Sequence, residues 1–323
     1  MRAPTGTQYE LTLQTPSGSA RAVVTEVAAG LRAYSVNGID LVETFDEAVQ
    51  PPMGAGIVLA PWPNRIRDGQ WTQNGVTRQL ALTEPARHNA IHGLLRFARY
   101  TKVSRTADSV TLAATVFPQS GYPFQVDTEV TYALTPDGLN VTHRMQNVGA
   151  EAAPVAVGAH PYLKIGDVPT GDLVVRVDAA THIDVDDRLN PTGETPVDGT
   201  RYDLRAGRTV NELDLDDGFG GVGVSAAAAG AHAPREHSLT AADGRSLILW
   251  GDENMRYVQV FTPRVFPVTS GAAQPVRGQA IAIEPMTAPA DAFNSGAGLH
   301  WLAPGEQWIV RWGIRHVGFR PGA

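Results

Sequence analysis

The sequence contains no cysteine in 323 residues, which excludes a disulfide framework, a Cys-ligated zinc site and a thiol nucleophile. Charge is sparse as well: 18% of residues are Asp, Glu, Lys or Arg, and 26 basic against 33 acidic side chains leave a formal net charge of −7. Such sparseness excludes a long coiled coil. The lack of a positive excess argues against nucleic acid or an anionic membrane as partner, since both need a concentrated positive field. No stretch approaches the ~18 consecutive apolar residues that a spanning helix requires, and residues 1–14 lack the apolar centre of a secretory leader. These absences make a cytoplasmic protein without membrane contact the expectation. Apolar residues, at 43%, suffice for a large core.

Uninterrupted sequence for helices is also scarce, because 33 glycines and 23 prolines are spread along the whole chain. Between them the pattern has period two. Residues 71–80, WTQNGVTRQL, centre on Asn74-Gly75, the pair that most cheaply supplies the two positive φ angles of a type I′ hairpin turn. Asn37-Gly38 repeats the signal. Residues 124–134 alternate, turn at Pro136-Asp137-Gly138 and return as LNVTHRM. Asp243-Gly244 separates two more strand-like runs, and residues 308–314 read as a closing strand. The four alanines at 226–229, flanked by glycines, read as a surface loop. No repeat of 20–50 residues recurs, which argues against a propeller or solenoid, and no shift in composition marks a boundary. The expectation is therefore an all-β protein, with residues 1–323 forming one large antiparallel β-sandwich and few short helices.

Four segments depart from plain strand and turn. Residues 61–69, PWPNRIRDG, set the Asn64 amide beside the Arg65 guanidinium in a proline-stiffened loop, a cradle for sugar hydroxyls or, equally, a solvated surface turn. His92 precedes Gly93, whose missing side chain would let a ligand approach; a structural histidine fits the same pattern. His160 precedes Pro161 and Tyr162, a stiff setting of the kind a directed proton donor requires. In residues 281–294, IAIEPMTAPADAFN, strand alternation points Glu284 away from the face of Ile281 and Ile283, and Pro285 then breaks the ladder. Partial burial there would raise the carboxyl pKa toward neutrality, although a plain edge-strand Glu reads the same way.

The order PNRIxxG, His-Gly, GxHPY, DDGF, VQVFT and IAIEPMTxPxDAFN resembles the aldose 1-epimerases, or mutarotases, over residues 58–314. The resemblance implies the large antiparallel β-sandwich of the galactose-mutarotase type with a sugar cleft. It further implies Glu284 as general base, His160 as general acid, Asn64, Arg65, His92, Asp216 and Gln259 lining the sugar, and Tyr162 beside the acid. Asp216 follows from its place three residues before Phe219, with Asp217 as the alternative. No metal or organic cofactor is implied; the partner would be a monosaccharide, acted on by a monomer or homodimer. Two departures fall at the implied pocket wall: Leu94 stands where many members have a second glycine, and Pro61-Trp62-Pro63 leads into Asn64.

For a mutarotase, one group must take the O1 proton of a pyranose while another protonates the ring oxygen O5, the two held on opposite sides of the C1–O5 bond. Other readings stay open. A carbohydrate-binding module would use the same side chains only as hydrogen-bonding partners. A hexose-6-phosphate epimerase would call on Arg96 or Arg99, a glycosidase would need a second carboxylate such as Asp216, and a metal site would have to combine His88, His92 and His160.

Overall fold

The computed structural model describes residues 2–16, 18–223, 234–268 and 276–320. Two large antiparallel sheets dominate. One has nine strands, in the order Thr101–Arg105, Ser109–Val116, Val126–Thr135, Gly138–Asn147, Gln307–Val317, Ser246–Gly251, Arg235–Thr240, Val174–Val177 and Arg208–Thr209. The other has eight: Pro191–Pro196, Thr181–Val185, Asp216–Gly220, Tyr257–Phe261, Ile281–Met286, Gly158–Ala159 and Val58–Leu59 in sequence, with Tyr162–Leu163 also pairing to Ile281–Met286. An N-terminal meander of four strands starts at Gln8–Thr15 and ends at Ile39–Asp40.

Alternation in sequence becomes alternation in burial. Along Val126–Thr135 every second residue is buried, from Val126 through Val130 and Tyr132 to Leu134. These side chains share one core with Val141, Leu249 and Trp312 of the same sheet, and with Val258, Val260, Ile281 and Ile283 of the other. Two sheets burying their inner faces in a common core make the sandwich, matching the architecture expected from the turn signals. Among the described residues the α-helix is confined to the four residues Ala292–Ser295. No described helix is long and apolar enough to cross a membrane. The alanine stretch at 226–229 lies outside the described residues.

Both Asn-Gly turns form as expected, with φ of 54° and 78° at Asn37-Gly38 and 50° and 76° at Asn74-Gly75. Gly138 differs. It already pairs with Thr135 inside the strand, and a Cβ there would lie 2.2 Å from the Ile314 carbonyl oxygen. Close approach of the neighbouring strand, not turn geometry, requires glycine at that position.

Candidate active site

The site grows out of one strand, Ile281–Met286, covered on both faces. Ile281 and Ile283 point into the main core, whereas Ala282 joins a second cluster with Phe45, Tyr162 and Phe266. Alternation then puts Glu284 on the Ala282 face, as the sequence suggests. Directly paired residues share a face, so the register Gly218↔Gln259 and Gln259↔Glu284 sets Gln259 beside Glu284. At Gly218, next in that row, a Cβ would lie 3.2 Å from Gln259 Oε1, so glycine lets the amide lie close against the strand.

Proline 285 shapes the other side. The strand runs through it to Met286, but only the flanking N–H groups bond to the neighbouring segment: Ile283 to the Pro161 carbonyl at 3.3 Å and Thr287 to the Val157 carbonyl at 2.9 Å. The N–H that Pro285 lacks would fall between them, opposite Ala159–His160. There the neighbour splits into Gly158–Ala159 and Tyr162–Leu163, and His160 occupies the break. Its backbone is held by His160 N–H to the Ile57 carbonyl (3.1 Å) and Gly56 N–H to its own carbonyl (2.8 Å).

As a result His160 Nε2 stands 3.4 Å from Glu284 Oε1, with both side chains buried. Tyr162 stacks on the imidazole at 5.1 Å and donates its hydroxyl proton to the Met53 carbonyl. His92, held at a positive φ of 62°, meets the same imidazole edge-on at 5.5 Å. Gly93 after it serves the backbone: a Cβ would lie 2.0 Å from the Ala60 carbonyl oxygen, which accepts the Leu94 N–H at 2.8 Å. The glycine therefore fixes the His92 loop against residue 60; its role is not to clear a path for a ligand.

Asn64, at φ 54°, turns back so that its Oδ1 accepts the Arg65 N–H at 2.9 Å while its Nδ2 donates to Gln259 Oε1 at 3.1 Å. Gln259 Nε2 in turn donates to Asp216 Oδ1 at 2.9 Å. Arg65 is buried and forks onto Glu84, Nε to Oε2 at 2.9 Å and Nη2 to Oε1 at 3.0 Å, with Nη2 also 3.7 Å from Asp216 Oδ2. All eight residues singled out in sequence thus form one connected cluster. The alternative Asp217 points elsewhere, accepting from His182 Nε2 at 2.7 Å. Arg99 is paired with Glu26, and His88 is exposed beside Asp68, so neither joins the cluster. Arg96 reaches the Thr83 carbonyl and lies close enough to His92 to disfavour its protonation.

Electrostatics follow from burial. Loss of water pushes the Glu284 carboxyl well above its usual range, with the Asp216 charge adding to the rise and Arg65 opposing it. Burial pushes the His160 imidazole down to about 4. His92 is lowered too, by burial and by the cationic neighbours His160, Arg65 and Arg96. Glu284 Oε2, His160 Nδ1 and His92 Nδ1 are buried without a hydrogen-bond partner in the protein. Buried polar atoms left open in one cluster mark a place where a polar ligand completes the bonding.

Glu84 had no motif to announce it in the sequence, and neither did the function of the DAFN stretch. Asp291 N–H donates to the Arg65 carbonyl at 2.6 Å, and Asp291 Oδ1 accepts the Arg67 N–H and the Asn294 amide. Phe293 packs on Trp62 and Trp71 with ring centroids 5.2 and 5.0 Å away. This stretch clamps the Asn64-Arg65 loop from behind.

Comparison with known proteins agrees with the geometry. The family model for aldose 1-epimerase matches residues 9–315. The chain is 31% identical over 296 residues, 91% of its length and 90% of the other's, to the uncharacterized protein YihR of Escherichia coli K12. It is 32% identical to human galactose mutarotase over 163 residues, which span 48% of this chain and 46% of that one. In fold it is similar to a GalM/aldose epimerase homologue from C. elegans, with a TM-score of 0.81 at 18% identity over 97% of this chain and all of that one. A galactose 1-epimerase from Lactobacillus acidophilus superposes with a TM-score of 0.74 at 20% identity, over 96% and 94% of the two chains. The chain belongs to the aldose 1-epimerase family.

Proposed function

We propose that the protein is an isomerase that interconverts the α and β anomers of a free aldohexose by opening and reclosing the pyranose ring. Glu284 takes the proton from O1 as His160 gives one to O5, and the roles reverse once the C1 carbonyl has turned. The observation that carries this reading is the 3.4 Å contact between His160 Nε2 and Glu284 Oε1.

That contact changes the expected geometry in one respect. The two groups are neighbours, so in this reading they address O1 and O5 from one side of the C1–O5 bond and not from opposite sides. O1 and O5 share one carbon and lie closer together than this contact, so a pyranose with its anomeric carbon over the pair offers one oxygen to each group. O1–H is a donor and favours the carboxylate; O5 is an acceptor only and favours the protonated imidazole. A raised carboxyl and a lowered imidazole reverse the usual order of proton affinity, so the single proton of the pair rests on Glu284, and its transfer to His160 across the contact creates the carboxylate and imidazolium that act on O1 and O5. Gln259, Asp216, Asn64 and Arg65 supply donors and acceptors that orient the remaining hydroxyls. Tyr162 keeps the imidazole plane in place by stacking.

Polarimetry on freshly dissolved α-D-glucose and α-D-galactose tests this reading. The expected result is a drift to equilibrium rotation that quickens in proportion to protein concentration. A sugar that binds without quickening the drift would make the protein a carbohydrate-binding module, and activity confined to the 6-phosphates would place it with the hexose-6-phosphate epimerases.

A further inference from the structure

Arg65 is nearly fully buried, and a buried guanidinium needs its charge answered and its donors occupied. Asp216 is not its principal partner, since its Oδ2 stands 3.7 Å from Nη2. Glu84 is. Its carboxylate takes both Nε and Nη2 in a two-pronged contact, and also accepts Arg87 Nη1 at 3.1 Å and Asn89 Nδ2 at 3.4 Å. The Glu84 backbone is fixed as well, bonded in both directions to Asn89 across an isolated bridge. The fork grips one edge of the guanidinium. Nη1 is left with a single long contact to Asn64 Oδ1 at 3.4 Å, on the side where Asn64, Gln259 and Asp216 meet.

We infer that Glu84 is a positioning residue: it holds the buried Arg65 side-on so that Nη1 addresses the sugar and Asp216 keeps its own oxygen free for a hydroxyl. The inference rests on the proposed mutarotase reading. Without the fork, the nearest carboxylate for Arg65 is Asp216. A direct pair between the two would remove a donor and an acceptor from the sugar together. Loss of the Glu84 charge would also remove one of the two anions that answer Arg65, so its positive charge would act more strongly on Glu284, whose proton affinity Arg65 already lowers.

Two variants separate positioning from stability. Glu84→Gln keeps the shape but offers one acceptor and turns an NH₂ group toward the guanidinium; Glu84→Asp keeps the charge but shortens the reach. For Glu84→Gln, kcat/KM on α-D-galactose or α-D-glucose is expected to fall about 10²-fold, mostly through KM, as for displacement of an orienting group by about 1 Å. Its pH–rate profile is expected to move to lower pH. In Glu84→Asp the profile should stay at the wild-type position while KM stays raised. Calorimetric affinity for the same sugars should fall in parallel with KM, and this arm is read even if the wild-type protein turns nothing over, an outcome that would refute the mutarotase reading alone. Wild-type kinetics and affinity in both variants would overturn the role of Glu84. So would a uniform loss of kcat with an unmoved pH profile, or loss of folded protein in both, since each assigns Glu84 to stability.

Discussion

At the residue scale, the proposed chemistry depends on two side chains whose surroundings reverse the usual order of their proton affinities. In the proposed reaction the active form of the pair carries one proton. Below the His160 pKa a second proton binds, and above the raised Glu284 pKa the only proton is lost. The kcat/KM profile of the free enzyme is therefore expected to be bell-shaped, with an acidic limb near pH 4 set by His160 and an alkaline limb displaced upward from the ordinary carboxyl range. Polarimetry corrected for the buffer-catalysed rate measures it; an acidic limb at the ordinary histidine value of about 6.5 would contradict the burial argument. Gly93 offers a second test at this scale. Gly93→Ala must accommodate both a φ of 72° and a Cβ 2.0 Å from a carbonyl oxygen. It is expected to lose about 3 kcal/mol or more of stability in urea unfolding, and a loss under 1 kcal/mol would show that the loop gives way easily.

At the scale of elements, the site is a junction: a strand carrying Glu284, a broken neighbour carrying His160, and a loop carrying Asn64 and Arg65. The loop is held from behind by Asp291 and Phe293, so the DAFN stretch acts through the scaffold. Phe293→Ala empties a buried aromatic cluster of Trp62, Trp71 and Tyr122, and is expected to cost about 3–5 kcal/mol and to raise KM more than it lowers kcat. Urea unfolding with steady-state kinetics checks both; an unchanged KM would detach the clamp from the sugar site. What sequence reveals at this scale has a physical limit. Asn-Gly turns, period-two runs and the proline after Glu284 are local features, and each is legible because backbone sterics act over a few residues. Asp216 against Asp217 is decided by register with Phe261 and Val260, which only the assembled sheet supplies. Glu84 is separated from Arg65 by the whole hairpin of Gln70–Gln73 and Val76–Gln79, and no periodicity links the two. Gly93 and Gly138 are readable as glycines, but the carbonyls that demand them, of Ala60 and Ile314, come from segments distant in sequence.

At the scale of the whole molecule, the sandwich buries histidines that work as neutral acceptors. His143 Nε2 accepts the Trp312 indole N–H at 2.9 Å between the two longest central strands, and burial lowers its pKa to about 3. His237 accepts the Asp178 N–H and is lowered to about 4. The sign is fixed by the unfolded chain: above about pH 6.5 neither state binds the proton, and stability is full. As the pH falls below 6.5, the unfolded chain takes up protons that the fold refuses, so stability drops. Raised carboxyls such as Glu43 and Asp40 act in the opposite direction, and a variant isolates the histidine. His143→Gln keeps an acceptor for Trp312, and its stability deficit against wild type is expected to shrink by roughly 2 kcal/mol between pH 7 and about pH 4.5. A deficit that does not change with pH would mean that His143 is not held neutral.

The central claim is that Glu284 and His160 exchange hydrogens with a sugar instead of merely binding it. Magnetisation-exchange NMR between the two anomeric proton signals of D-galactose, with calorimetric titration of the same samples, tests this most directly in Glu284→Gln and His160→Asn. The expected result is retained sugar affinity with anomer exchange slowed by about 10²–10⁴-fold in each variant. Exchange at the wild-type rate in either variant, with the sugar still bound, would contradict it.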